Sequence, residues 1–189
     1  MRRLIIASAL LLCSTTASAL ERYLIDTKDM HAAIEFRIPH LGYSWLNGRF
    51  NTFSGSFVFD PALEGSSVEV LIDTRSIDSN HDERDEHLRG PDFLDVARFP
   101  QARFVGTRVV VGEEGSFTLH GDLSLHGVTR AVVIDARAIG SGADPWGGFR
   151  RGFEGSTTLK LADFGIDFDL GPAAREVQMR LSIEGVRQP

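Results

Sequence analysis

Cysteine is nearly absent: the 189 residues contain one, Cys13. No disulfide can form within the chain, so stability has to come from a packed core. Long apolar runs are missing too. The longest, at residues 4–12, falls well short of the ~20 apolar residues that cross a bilayer, so no integral membrane span is expected. Positive charge is in deficit, with 20 Lys+Arg against 26 Asp+Glu and a formal net charge of −6. Such a chain gains no counterion-release affinity for DNA or RNA, and no electrostatic pull toward anionic lipid. Catalytic signatures are missing as well. There is no HExxH, CxxC or EF-hand spacing and no G-x-S-x-G elbow. Asp163-Phe164-Gly165 matches the kinase tripeptide by letters only, since no glycine-rich loop accompanies it. These absences point away from an enzyme, a cofactor, a metal site and a nucleic-acid partner.

The N-terminus carries a targeting pattern. Arg2 and Arg3 precede the short apolar core, and Ala17-Ser18-Ala19 offers small residues for cleavage. Residues 1–19 therefore read as a secretory signal, and 20–189 as one mature domain. A lipidated Cys13 is the competing reading, but Leu12 precedes it where a small residue is wanted. Cys13 leaves with the leader.

The dominant signal in the mature chain has period two. Phe117, Leu119, Leu123 and Leu125 share a face, with Thr118, His120 and Asp122 on the other. The same alternation runs through Ile34, Phe36 and Ile38, through Phe53, Phe57 and Phe59, through Val68, Val70 and Ile72, and through Val177, Met179, Leu181 and Ile183. Each run reads as a half-buried antiparallel strand. Further candidates near 102–112, 130–139 and 151–161 bring the count to about eight, which suits a sandwich or a closed barrel. Glycines inside the strand patterns, at Gly55, Gly106, Gly121 and Gly155, mark bends or close approaches. Residues 79–98 break the pattern. A helix is expected at 81–89, capped by Ser79 or Asn80 and ended by Gly90-Pro91, with a second helical turn at 92–95.

Phenylalanine is abundant, with 13 Phe against two Tyr and two Trp. Phe supplies apolar surface without a polar handle, which fits either a solid core or a lipid cavity. His81 and Asp85 stand i,i+4 and could face one ion, but His87 falls on another face. A solvated helix with internal ion pairs explains them better.

The residues also resemble the YceI-like family of periplasmic polyisoprenoid-binding proteins. The matching pieces are Tyr23-x-x-Asp26 with His31, Phe36-x-x-x-His40, Gly48-Arg49-Phe50 and Phe53-x-Gly55-x-Phe57-x-Phe59-Asp60. Arg84-Asp85-x-His87-Leu88, Asp92-Phe93 and Phe99-Pro100-x-x-x-Phe104 follow. Gly121-x-Leu123-x-Leu125-His126-Gly127-Val128-Thr129 and Asp163-Phe164-Gly165-Ile166 complete the order. The chain departs from the pattern at Lys160-Leu161-Ala162, where a basic residue often stands closer to Asp163.

The resemblance implies an all-β, eight-stranded antiparallel lipocalin-like barrel with one short helical insert. Its cavity would bind, transport or sequester a long isoprenoid lipid, of polyprenyl or quinone type, in the periplasm. The headgroup would sit at the mouth, and a homodimer is left open as a partner state. Alternatives are a stress-response barrel packed solid and without cargo, and an enzyme of isoprenoid metabolism using a buried titratable pair. Face assignments nominate Phe36, Phe57, Phe117 and Leu123 as cavity-lining residues, the less regular strand candidates add Phe104 and Phe153, and the insert adds Phe93 and Phe99; some of the eight would line the cavity and the others fill the core around it. Arg84, Asp85 and His87 are expected to fasten the insert to the barrel. Cleavage after Ala19 predicts a mature N-terminus at Leu20. Intact-mass measurement of the exported protein checks this, and a diacylglycerol on Cys13 would contradict it.

Overall fold

The computed structural model describes residues 20–29 and 31–189, so the leader expected at 1–19 lies outside the described residues. Eleven antiparallel strand segments form one sheet that closes on itself. β1 (Glu21–Ile25) and β2 (Ala33–His40) lie in succession along one edge of the last strand, β11 (Glu176–Arg187). Ile25 pairs with Gly185, and Ala33 with Ser182. β3 (Ser44–Phe50) and β4 (Phe53–Phe59) repeat this against β2 and β1. β5 (Ser67–Asp73) and β6 (Ile77–Asp78) do the same against β4 and β3, broken by a single 3-10 turn, Thr74–Ser76. Each couple is thus one interrupted strand. With β7 (Gln101–Val111), β8 (Ser116–Leu125), β9 (Val128–Ala143), β10 (Phe149–Lys160) and β11, they make an eight-stranded up-and-down barrel. Closure removes the unpaired edges that would otherwise template aggregation.

The register read from sequence holds. On β8, Phe117, Leu119, Leu123 and Leu125 border internal space, while Asp122 is exposed. On β11, Val177, Met179, Leu181 and Ile183 do the same. β1 and β3 escaped the sequence reading. β1 is five residues long, and β3 mixes Leu46 and Phe50 with polar neighbours and Gly48.

The insert between β6 and β7 holds one helix, α1 (Asp82–Arg89). Its cap corrects the expectation of Ser79 or Asn80: it is His81, whose Nδ1 accepts the Arg84 N–H at 3.3 Å. An N-cap needs extended backbone, and Asn80 is left-handed at φ 63°. The Ser79 hydroxyl is committed elsewhere, to Asp85 and Arg84. Gly90 ends the helix as expected. Residues 92–95 form turns rather than helix, because Asp95 N–H donates to the Gly90 carbonyl and closes a loop.

Close approach explains the strand glycines. The Phe104 ring on β7 lies over Gly121 of β8, where an added Cβ would overlap the ring and the Val105 carbonyl. Pairing an aromatic ring with a glycine on the next strand packs the ring flat and lets the sheet curl. Gly121→Ala is therefore expected to destabilise the protein by about 1–3 kcal/mol through overpacking. Thermal unfolding checks this, and an unchanged midpoint would mean the ring moves aside freely.

Candidate functional site

The barrel interior is not solid. A cavity of about 420 Å3 occupies the end covered by the insert, within the ~300–1,000 Å3 typical of small-molecule sites. Strand alternation builds its wall. β2 contributes Phe36 and Ile38, β8 contributes Leu123 and Leu125, and β11 contributes Val177 and Met179. Leu88, Phe93 and Leu94 of the insert roof it. Ile166 and Leu170 close the side after the 3-10 turn Leu161–Phe164. Gly165 adopts φ 72° there, a left-handed conformation that glycine takes without strain and that brings Ile166 back to the wall. The polar members are few: His40, Arg84 and His87. Leu41 at the tip of the β2–β3 hairpin lines the cavity yet is 59% exposed, so the cavity opens there.

The roof is clasped by polar contacts, of which those of Asp85 are buried. Asp85 is 4% exposed and accepts the backbone N–H of Ser79 at 2.8 Å and its hydroxyl. Arg84 donates through Nε to Ser79 Oγ and through Nη2 to the Ser79 carbonyl, both at 2.7 Å. Arg89 donates to the carbonyls of Arg75 and Ile77. His87 contacts Asp92 at 3.1 Å and meets Phe93 and Phe168 edge-on. Of the pair His81 and Asp85, His81 Nδ1 accepts the Arg84 N–H and Asp85 Oδ1 accepts both Ser79 donors. Fastening an insert by a buried carboxylate fixes its position tightly, because an unpaired partner would be costly.

The eight residues nominated from sequence divide three ways. Phe36, Phe93 and Leu123 line the main cavity. Phe57, Phe117 and Phe153 line a separate chamber of about 110 Å3 toward the opposite end. Phe57 stacks on Tyr23, with ring centroids 4.7 Å apart, and both Phe57 and Phe117 meet Phe153 edge-on. Phe104 and Phe99 line neither space. Phe104 is buried between the two. Phe99 packs against His126 and Gly127, on the β8–β9 turn, and its carbonyl accepts the Thr74 hydroxyl. The selection by phenylalanine missed the aliphatic residues that supply most of the wall, among them Leu46, Leu159, Ile166 and Met179. Met179 was detectable from the alternation of β11.

A second polar cluster lies away from the cavity. Ligand-type atoms of Asp26, His31 and Glu184 fall within 4.8 Å of one another. A guanidinium stands where a cation would: Arg150 Nη1 donates to Asp26 and Glu184, and Nε to Asp144 at 3.0 Å. His31 Nδ1 sits 3.0 Å from Asp26. The cluster ties the loop joining β1 and β2 to β10 and β11. Burial pushes the Asp26 carboxyl up, but the hydrogen bonds from Arg150 and His31 and the Asp29 N–H outweigh it and hold the group at about 2. Arg150 is shifted upward by its bonds to Asp26 and Glu184.

The YceI-like domain family matches residues 23–185. The chain belongs to that family. A UPF0312 protein of Azotobacter vinelandii is 57% identical over 167 residues, covering 88% of this chain and 87% of that one. One from Shewanella denitrificans is 51% identical over 192 residues, covering 100% of both. Among solved structures, BcnA of Burkholderia cenocepacia superposes with a TM-score of 0.74 at 22% identity, covering 85% of this chain and 98% of BcnA. A polyisoprenoid-binding domain from Saccharophagus degradans gives 0.65 at 16% identity, covering 88% and 98%. At these identities the superpositions establish a shared fold. The Tyr23-x-x-Asp26 and His31 elements of this YceI-like chain are the ones that hold the β1–β2 loop.

Because the Asp26 carboxyl sits near 2 when folded and near 3.8 when free, the unfolded chain binds the extra proton between those values. Its contribution is complete above about pH 4 and is lost as pH falls toward 2. Asp26→Asn is expected to cost about 1–3 kcal/mol at neutral pH and to flatten the stability profile in that window. Urea unfolding at stepped pH measures both, and an unaltered acid limb would remove Asp26 from this role.

Proposed function

We propose that this YceI-like protein binds one isoprenoid-type lipid chain in the barrel and carries or sequesters it in the periplasm. The observation that carries this reading is the cavity of about 420 Å3, walled by hydrocarbon and open beside Leu41. An eight-stranded barrel is just wide enough for a slender ligand. Each methylene moved from water to such a wall contributes about 0.8 kcal/mol, so a long tail dominates recognition even after association costs. His40, Arg84 and His87 border the same space and suit a polar headgroup at the mouth. Family membership supports the reading, as does a structural neighbour described as a polyisoprenoid-binding domain. The periplasmic location rests on the leader pattern of residues 1–19.

An enzyme acting on the same lipid would need an acid and a base aimed at the chain. The described lining of the main cavity is hydrocarbon apart from His40, Arg84 and His87, and Arg84 and His87 are engaged by Ser79 and Asp92, so we read it as a binding site. A cargo-free barrel would leave this much apolar space without use.

The test is lipid extraction and mass spectrometry of the protein purified from its own periplasm, beside a Leu123→Asp variant. The native protein is expected to yield an isoprenoid lipid at up to one per chain. Leu123→Asp is expected to retain at least tenfold less, since its charge would lie against hydrocarbon, while still unfolding cooperatively. A native protein that carries no such lipid and takes up no prenyl alcohol would overturn the proposal.

A further inference from the structure

The two internal spaces follow one another along the barrel. On β7, Ala102 borders the main cavity and Val109 the deep chamber. On β8, Leu123 and Leu125 border the first, Phe117 and Leu119 the second. On β11, Met179 borders the first and Leu181 the second. Between them lies a layer that borders neither: Ile34, Val70, Phe104, Gly121 and Val132, all buried. Val70 pairs with Phe104 and Gly121 with Val132, and the Phe104 ring over Gly121 joins the two couples. Phe104 is its largest member, and its ring fills the niche left by Gly121.

We propose that the Phe104 layer is a length gauge, a septum that stops an apolar chain in the main cavity and keeps it out of the deep chamber. This rests on the lipid-binding reading and adds what that reading leaves open, the length of chain the protein prefers. The deep chamber is fit to take hydrocarbon once reached. Phe57, Phe117 and Phe153 make an aromatic wall there. Beyond it, Arg151 of β10 lies 3.6 Å over the Phe59 ring and pairs with Glu21 at 3.3 Å. A chain passing Phe104 would therefore gain apolar contact up to that charged end. Phe104 holds this extra binding energy out of reach. Each methylene buried is worth about fourfold in affinity, so the septum's position sets the length at which added carbon stops helping.

The experiment measures affinity for all-trans prenyl alcohols of increasing length, for the delipidated native protein and for Phe104→Ala. Phe104→Leu is the milder variant, and thermal unfolding verifies that each is folded. Native affinity is expected to rise with length and then level off. Phe104→Ala is expected to shift that plateau to longer alcohols by at least one isoprene unit, with affinity for the shortest binders within about twofold of native. Ile183→Trp, which fills the deep chamber, is expected to leave the native plateau in place and to cancel the shift when combined with Phe104→Ala. A plateau unmoved by both Phe104 variants overturns the gauge while leaving lipid binding intact. So does a native plateau shortened by Ile183→Trp, because the chain would already pass the septum. Failure of the folded native protein to bind any alcohol overturns the lipid reading, and the gauge with it.

Discussion

β11 has to satisfy two partners on one edge, and the rest of the barrel depends on how it does so. Its C-terminal half pairs with β1 and its N-terminal half with β2. A single unbroken strand could fill that edge only with a register matched over its full length. Here Asp26–Asp29 and His31–Ala32 step out between the halves, and the Arg150 cluster holds Asp26 down. The Asp26 N–H also donates to the Glu184 carbonyl at 2.8 Å, so the step keeps contact with β11. Once that edge is closed, side-chain period two assigns every inward residue around the ring. The cavity wall is a consequence of closure.

Interior volume then depends on what fills each level. At the two cavity levels the inward side chains leave space between them. At the level of Phe104 one ring and one glycine interlock, and neighbouring valines complete the fill. The same pairing recurs at the main cavity, where a Cβ on Gly48 would overlap the Phe36 ring. Phe36 is directed along the wall by this contact. Glycine placement, as much as the phenylalanines themselves, decides where the barrel is hollow.

Much of this was legible in the sequence, for identifiable reasons. The alternations of 117–125 and 177–183 gave both strand position and face, because burial on one side imposes period two. The insert was legible from its polar run and its Gly90-Pro91 stop. Its cap was not. Ser79 and Asn80 rank higher than histidine as caps, and only the fold shows that Asp85 claims Ser79 and that Asn80 is left-handed. Cavity membership was legible in part. Face assignment put Phe57 and Phe117 inside, and they are inside, as is Phe153 from a less regular strand candidate, but alternation carries no information about depth along the axis. Phe99 illustrates a different limit: its ring answers to the β8–β9 turn, a contact made across 27 residues of chain by His126.

The distribution of charge follows the same axis. Polar groups border the open end at His40, Arg84 and His87, and Arg151 with Glu21 marks the opposite end, with hydrocarbon between. The two ends do not serve the same purpose. Arg84 and Asp85 are spent on backbone and on Ser79, which makes the roof a fixed part of the barrel and leaves the hairpin tip as the exposed side of the entrance. Arg151 is spent on an aromatic face and on Glu21 and Tyr23, so the far end keeps its charge compensated while its phenylalanines face inward. A ligand with one polar end and one apolar tail has a single favourable direction of entry into such a gradient. Headgroup at the Leu41 side and tail toward Phe104 satisfies both ends, and the reverse would bury a polar group against hydrocarbon at a cost of several kcal/mol.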